Sequence, residues 1–283
     1  MTGDARRYGT VFDEVAEDYD RVRPRYPDAL VDRACGIAGL GPGDPVLEIG
    51  CGTGQLTRSL LARALRVTAV EPGGNLLRLA GQNLDSAGAV EFVNARFEDA
   101  VLPRGHFRAV FSASALHWVD PTVGWRKIAS VLADGGTLAL LTYLGVNEPR
   151  SSDDQAAILA ALAKAAPDIA AGWPVYRDID GTLAGADDRR RNVSEVWSWL
   201  GSYDLAQDDA ARLFSDVQVA LVPQLVEHTA SELFATFRTM SHWARLSPAQ
   251  REELGLELDA VYARLSRPIR SSVASSLVTA RRA

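Results

Sequence analysis

A short apolar strand that runs into a glycine-rich turn and then a helix is the feature that most restricts how this chain can fold. The strand is predicted at Pro45–Gly50, the turn at Gly50–Gly54 and the helix at Gln55–Ala64. Glycines in such a turn tolerate positive φ angles and let the backbone approach a ligand closely. The segment therefore predicts a strand–turn–helix unit with a ligand at the turn.

The alternation of short apolar strands with helices continues beyond this unit. Further strands are predicted at Arg66–Glu71, Val90–Asn94, Phe107–Ser112 and Gly136–Tyr143, and helices at Gly74–Leu84 and Trp125–Leu132. Such alternation is typical of a parallel sheet that helices cover on both faces. We therefore expect an open, mostly parallel α/β sheet.

The segments that flank this alternation are predicted to be mainly helical. Phe12, Val15, Ala16 and Tyr19 share one helical face, and a second helix runs from Asp28, interpreted as its N-cap, to Ile37. Later elements are a strand at Val217–Val226, helices at Ala230–Leu246 and Pro248–Leu265, and a strand at Ser271–Arg281. We expect three divisions: a core with N-terminal helices (1–144), a helical cap (145–212) and a segment that completes the sheet (213–283).

Composition restricts the classes of partner. The net charge is −6 and no dense basic run precedes the C-terminal arginines, which argues against nucleic acid as a partner. No apolar run reaches the roughly 18–20 residues of a membrane span, and the N-terminus does not resemble a secretory signal. We expect a cytoplasmic monomer or homodimer that acts on a small-molecule substrate, away from membranes.

The cysteines and histidines do not predict a metal site. Cys35, Cys51 and four scattered histidines lack the spacing of zinc ligands. Both cysteines are expected to be small, reduced residues.

The glycine spacing distinguishes two kinds of nucleotide site. A dinucleotide site requires Gly-x-Gly-x-x-Gly, but here the third glycine position of that pattern is Gln55, and the glycine falls at position 54. This spacing, with Glu48 just upstream, suits a ligand without a pyrophosphate. Glu71 ends the second strand before Pro72, where its carboxylate can accept hydrogen bonds from a ribose diol.

Several motifs in order resemble the class I S-adenosylmethionine-dependent methyltransferases. Val46–Gly54 resembles their first motif, Val70–Pro72 their ribose-binding acid, and Phe92–Asp99 the segment that borders adenine. Ala109–Trp118 and Tyr19–Pro27 are similar to a small-molecule branch that includes trans-aconitate methyltransferase. The resemblance extends over roughly residues 10–145.

This resemblance implies S-adenosylmethionine as the cofactor and a Rossmann-like fold. The sheet would have seven mostly parallel strands, the last one antiparallel, with helices on both faces and a helical cap after the fifth strand. The glycines would line the methionine part, Glu71 would bind the ribose, and the backbone at Arg96 and Phe97 would meet adenine. The predicted cofactor site comprises Tyr19, Arg23, Glu48, Gly50, Cys51, Gly52, Gly54, Glu71, Pro72, Arg96, Phe97 and Ser112.

The sequence departs from the family in the adenine segment. Many members have an aspartate at the position of Arg96. A side-chain contact with adenine is therefore not expected there, and Glu98 is predicted to face solvent.

Two groups near the predicted site have alternative roles. Tyr19 either folds over the cofactor or packs on the sheet, and Arg23 binds either a ligand carboxylate or a surface acid. His117 follows the fourth strand at the sheet edge where ligands bind, so it is the candidate catalytic base. Its alternative role is to pack and to position the cofactor.

The aromatic residues of the later segments also have two interpretations. They either wall a substrate pocket or form the core of the cap itself. They are Trp173, Tyr176, Trp197, Trp199, Tyr203, His242 and Trp243.

The sequence favours methyl transfer to a small molecule, with a hydroxyl or carboxylate oxygen as acceptor. Nitrogen and carbon acceptors remain open. The alternatives from other classes are a nicotinamide-dependent oxidoreductase, which Gln55 disfavours, and a non-catalytic cofactor-binding module.

Overall fold

The computed structural model describes residues 25–84 and 89–283, together with Asp13, Asp20 and Val22. The described residues contain seven strands, which together form one sheet. These are β1 (Pro45–Ile49), β2 (Arg66–Val70), β3 (Val90–Val93), β4 (Phe107–Ala113), β5 (Leu132–Gly145), β6 (Phe214–His228) and β7 (Ile269–Arg282).

Helices connect these strands and also form a separate layer. Those nearest the N-terminal half of the sheet are α1 (Asp28–Ala38), α2 (Gln55–Leu61), α3 (Gly74–Leu84) and α4 (Pro121–Val131). Those between β5 and β6 are α5 (Ser152–Ala165), α6 (Pro167–Ala171), α7 (Ile179–Asp187), α8 (Val193–Gly201) and α9 (Ala210–Leu213). Between β6 and β7 lie α10 (Ala230–Arg238) and α11 (Pro248–Leu265).

The strand order is β3-β2-β1-β4-β5-β7-β6. β1 pairs in parallel with both β2 and β4, and β7 runs antiparallel to β5 and to β6. The predicted seven-stranded, mostly parallel sheet with an antiparallel last strand is confirmed. The chain leaves β1 toward β2 and later returns to β4 on its other side, so the carboxyl ends of β1 and β4 form the crevice where open α/β sheets bind ligands.

Both faces of the sheet are covered. Successive residues of β1 enter different hydrophobic clusters, since Val46 packs in one and Leu47 in the other, and both are fully buried. Phe111 and Val110 of β4 divide in the same way. A strand that is apolar on both sides is stable only between two helical layers, which explains the continuous apolar runs in the sequence.

A third cluster consists mostly of helical residues and joins two segments of the chain. Leu162 of α5 packs with Phe237 of α10 and with Leu254 and Leu258 of α11. The helical layer therefore includes residues beyond the predicted cap range 145–212.

Some predicted element ends were wrong. Asp28 is not an N-cap, because Pro27 occupies that position without a side-chain hydrogen bond and Asp28 is the first helical residue. The helix predicted at Ala230–Leu246 ends at Arg238, and Ser241–Arg245 is a separate 3-10 turn. The helical face predicted from Phe12 to Tyr19 lies outside the described residues.

Within the described part of the chain, none of the helices combines the length and the apolar character required to cross a membrane.

A buried ion pair fastens α5 to the start of β7. The Asp154 carboxylate, with its side chain 2% exposed, accepts hydrogen bonds from Arg267 at 2.7 and 2.8 Å and from the Arg270 amide at 2.7 Å. The Arg267 guanidinium holds the pKa of Asp154 below its ordinary value, chiefly through these hydrogen bonds.

Replacing Asp154 by alanine should lower the free energy of unfolding by about 2 kcal/mol, because the Arg270 amide and the Arg267 guanidinium lose their acceptor. Urea denaturation of the wild type and of Asp154→Ala measures this difference. Asp153→Ala, which alters the exposed neighbouring acid, is the control and should change stability little. Equal losses in the two variants would contradict a stabilising role for the ion pair.

Candidate functional site

In the glycine turn after β1, Gly50 is tightly packed and Gly52 has open space around it. Gly50, Gly52 and Gly54 all have positive φ, at 71°, 55° and 86°. A Cβ atom at Gly50 would lie 2.2 Å from Cβ of Ala115, whereas nothing lies within 4 Å of the corresponding position at Gly52. Packing therefore requires glycine at position 50, and the backbone at Gly52 is open to a ligand.

The Glu71 carboxylate joins the turns that follow β1 and β2. Its Oε2 accepts from the Gly52 amide at 3.1 Å, and its Oε1 accepts from the Gly73 amide at 2.9 Å. The residue is 7% exposed, and burial raises the carboxyl pKa although the two amides oppose this rise. Glu71 therefore orients the glycine turn, and its predicted ribose contact stays a prediction.

Glu48 is a second buried carboxyl beside the turn. It is 1% exposed, and the Thr57 hydroxyl donates to its Oε2 at 2.6 Å. Burial raises the pKa of Glu48 to about 7; the Thr57 hydrogen bond lowers it and the charge of Glu71 raises it further. Neither Glu48 nor Glu71 forms an ion pair with a basic side chain of the described residues.

Other polar groups of the turn are buried or neutral. Burial, with Glu48 and Glu71 nearby, keeps the pKa of the Cys51 thiol well above its ordinary value, so the thiol stays protonated at neutral pH. Thr53 Oγ1 and Gln55 Nε2 are buried and find no hydrogen-bond partner among the described residues.

Two side chains that the sequence analysis missed support the turns around Glu71. Asp13 Oδ1 accepts from the amides of Asn75 and Leu76 at 2.8 and 3.0 Å, at the start of α3. Asn94 Nδ2 donates to the carbonyls of Glu71 and Pro72 at 2.9 and 3.1 Å. A polar residue just after a strand was the available signal for Asn94, but no sequence signal connects Asp13 with residues 75 and 76.

In the predicted adenine segment, the side chain of Arg96 is exposed, whereas those of Phe97 and Glu98 are largely buried. The side chain of Arg96 is 59% exposed and pairs with Glu98 at 3.1 Å. The side chain of Glu98 is only 13% exposed, and its Oε1 also accepts from the Asp120 amide at 2.9 Å. The prediction that Glu98 faces solvent was wrong, because the loop after β4 supplies an amide that holds it. Phe97 is buried in the core below.

His117 lies in a 3-10 turn directly after β4, at the crevice. Its half-buried imidazole stacks on the ring of Tyr203, with centroids 4.6 Å apart and planes 11° apart. Tyr203 follows α8, so a cap residue fixes the plane of the imidazole.

Ser112 of β4 is buried, and its hydroxyl donates to the Ile49 carbonyl at 3.0 Å, which links the ends of β4 and β1.

Tyr26 and Tyr143 form a second aromatic contact at the same edge. Their rings stack with centroids 4.7 Å apart. The Tyr26 hydroxyl lies 2.6 Å from Ser114 Oγ, which lies 3.2 Å from Thr142 Oγ1. None of these residues was among the predicted site residues, although the polar Ser114 at the end of a buried strand was a usable signal.

The aromatic residues of the cap lie in different surroundings. Trp197 is fully buried and belongs to the main core, and Trp243 packs against Phe234. Tyr203 stacks on His117, and Tyr176 packs against Gly145 at the end of β5. These last two residues therefore contact the carboxyl edge, and the substrate-pocket role stays a prediction.

Tyr19 and Arg23, which were predicted to contact the cofactor or substrate, lie outside the described residues.

The order and geometry of these elements can be compared with known proteins. Residues 47–140 match the family model of a methyltransferase domain. Over 141 residues the chain is 34% identical to an uncharacterized methyltransferase of Mycobacterium tuberculosis. The aligned segment makes up 50% of this chain and 55% of that protein. The chain thus spans about half the length of the curated relatives that it matches.

Solved structures share the fold over most of the chain. A protein from Anaeromyxobacter dehalogenans classed as a candidate type II methyltransferase superposes with a TM-score of 0.56 at 21% identity, covering 92% of this chain and 97% of that one. The Haemonchus contortus phosphoethanolamine N-methyltransferase 2, in complex with S-adenosyl-L-methionine, gives a TM-score of 0.51 at 14% identity. The superposition covers 97% of this chain and 60% of that one.

The family match covers the strands and turns that build the site, and the strand order agrees with the fold that the sequence motifs implied. Residues 47–140 are therefore similar to a methyltransferase domain, and this similarity covers about a third of the chain.

Proposed function

We propose that the protein transfers the methyl group of S-adenosylmethionine to an oxygen of a small molecule. The observation that carries the proposal is a pair of buried carboxyl groups, Glu48 and Glu71, beside the open backbone of Gly52. Buried carboxylates without a basic partner are costly, so a site that contains two of them favours a cationic ligand.

The residues present fit this cofactor. S-adenosylmethionine carries a sulfonium and an ammonium group, which complement the carboxylates, and a ribose diol, which supplies donors to Glu71. Thr53 Oγ1 and Gln55 Nε2 are buried polar atoms that lack partners among the described residues, so they are available to the polar part of the ligand. When bound, the cofactor supplies an electrophilic methyl group.

His117 is the proposed base. It lies at the carboxyl end of β4, and stacking on Tyr203 holds its ring plane in the crevice. An imidazole can act as a general base toward a hydroxyl acceptor, which favours oxygen as the acceptor atom. The aromatic contacts of Tyr26 with Tyr143 and of Tyr203 with His117 support an acceptor small enough to fit between the core and the cap.

The first test concerns Glu71. Glu71→Ala should weaken binding of S-adenosylhomocysteine on the order of tenfold to a hundredfold, because charge-assisted hydrogen bonds to the ribose are lost and the Gly52 amide is no longer oriented. Isothermal titration calorimetry measures the affinity. Glu91→Ala, at an exposed carboxylate of β3, is the matched control. Unchanged affinity in Glu71→Ala would exclude the ribose role.

The second test concerns the protonation of Glu48. A bound cation favours its charged form, so the pKa falls below about 7 on binding, and binding at lower pH must release a proton. Affinity for S-adenosylmethionine should therefore rise with pH up to about 7 and then level off. Glu48→Gln should flatten this rise, while the ligand's own amino group titrates alike in both proteins.

Calorimetry at several pH values, in buffers of different ionisation enthalpy, measures both affinity and proton release. Glu91→Gln serves as the control and should retain the wild-type profile. Identical profiles for the wild type and Glu48→Gln would show that Glu48 does not interact with the cation.

The third test concerns His117. With an acceptor found by screening for S-adenosylhomocysteine release, His117→Asn should lower kcat roughly a hundredfold or more and should remove the dependence of kcat on imidazole protonation. Binding of S-adenosylhomocysteine should stay near the wild-type value. If His117 only packs, the shape of the pH–rate profile will survive the substitution, and the proposed base is wrong. An acceptor methylated on nitrogen or carbon would overturn the choice of oxygen.

A further inference from the structure

Two arginines of the cap contact the indole ring of Trp199. The guanidinium carbon of Arg177 lies over the ring, 3.7 Å from its centroid, and that of Arg189 lies 4.2 Å from the centroid. Both cations therefore lie within cation–π distance of one side chain.

The arrangement is held by hydrogen bonds and close packing. Trp199 Nε1 donates to the Thr182 carbonyl at 3.1 Å, and the ring packs against Gly185, where a Cβ atom would lie 2.1 Å from it. Arg189 Nη1 donates to the Gly185 carbonyl at 2.7 Å, and Arg177 Nη1 lies 3.5 Å from the Trp199 carbonyl. Both guanidinium groups are therefore positioned before any ligand arrives.

The charges of this pair are not compensated within the described part of the chain, since neither arginine forms an ion pair there. Two acids close in sequence have other partners: Asp178 caps α7 through the Gly181 amide, and Asp187 pairs with Arg190 at 2.7 Å. Arg177 and Arg189 are both half-buried and keep several N–H donors unused by the contacts above. Two half-buried cations on one indole ring favour an anion.

The arginine pair is connected to the carboxyl edge of the sheet. The Arg177 carbonyl accepts from the Asn147 amide at 2.9 Å, just beyond β5, and the preceding Tyr176 packs against Gly145. On the other side, Tyr203 follows the helix that carries Trp199 and stacks on His117. Contacts of residues next to Arg177 and Trp199 therefore connect the arginine pair to the carboxyl edge of the sheet.

We propose that Arg177 and Arg189 bind an anionic oxygen group, a carboxylate or a phosphate, of the methyl acceptor, which makes the acceptor a small acidic molecule. Guanidinium groups suit this role because their planar set of donors matches such groups. The proposal rests on the proposed methyl transfer, but it concerns a different set of residues and can fail separately.

The experiment uses the full chain saturated with S-adenosylhomocysteine. Citrate, inorganic phosphate and the neutral triethyl citrate are each titrated by calorimetry into the wild type, the double variant Arg177→Gln/Arg189→Gln and Arg190→Gln. Arg190→Gln is the matched control. It also removes one guanidinium charge, but Arg190 is exposed and already pairs with Asp187. The single variants Arg177→Gln and Arg189→Gln replace the double variant if it does not fold.

The expected result is that the wild type and Arg190→Gln bind citrate or phosphate, while the double variant binds them more weakly, on the order of tenfold to a hundredfold. Triethyl citrate should not bind. A preference for citrate identifies a carboxylate site, and a preference for phosphate identifies a phosphate site; either supports the proposal. Affinity for S-adenosylhomocysteine should be equal in all variants.

Equal binding of the anions by the wild type and the double variant, or absence of binding to the wild type, would overturn the acidic-acceptor proposal. If the wild type fails to bind S-adenosylhomocysteine, the proposed methyl transfer is wrong instead. Fluorescence of Trp199, assigned by comparison with Trp199→Phe, gives a second readout, since an anion that reaches the two guanidinium groups changes the surroundings of the indole.

Discussion

The Glu71 carboxylate connects the two turns on which the site depends. By accepting from the amides of Gly52 and Gly73, it holds the end of β1 and the end of β2 in one arrangement. The same contacts partly offset the cost of burying its charge next to Glu48. The cationic cofactor of the proposed function would compensate the charge of these two buried carboxyls.

Aromatic contacts at the carboxyl edge join segments that are distant in sequence. Tyr26, just before α1, stacks on Tyr143 of β5, and Tyr203 from the cap stacks on His117 after β4. Aromatic stacking of this kind orients side chains without requiring them to be fully buried. Arg177 and Arg189 beside Trp199 place cationic charge on the cap, opposite in sign to the buried carboxyls Glu48 and Glu71.

Most of the fold was predictable because strands buried on both faces leave continuous apolar runs. β1, β2 and α3 lie within about one residue of their predicted ends. Errors occurred where local pattern and tertiary contacts compete. The helix after β6 ends early at Arg238, and Glu98 turns inward to an amide that only the folded loop after β4 supplies. The roles of Tyr19 and Arg23 stay predictions.

The sequence by itself determined the strand–turn–helix unit, the glycine positions and the acid at the end of β2, because each depends on local backbone geometry and on short-range periodicity. Tertiary structure decided the rest. The raised pKa of Glu48 requires burial that only the packed sheet provides, and the stack of Tyr203 on His117 requires the cap to return to β4. The contacts of Trp199 with Arg177 and Arg189 likewise depend on tertiary structure, because contacts between residues far apart in the chain leave no local pattern to read.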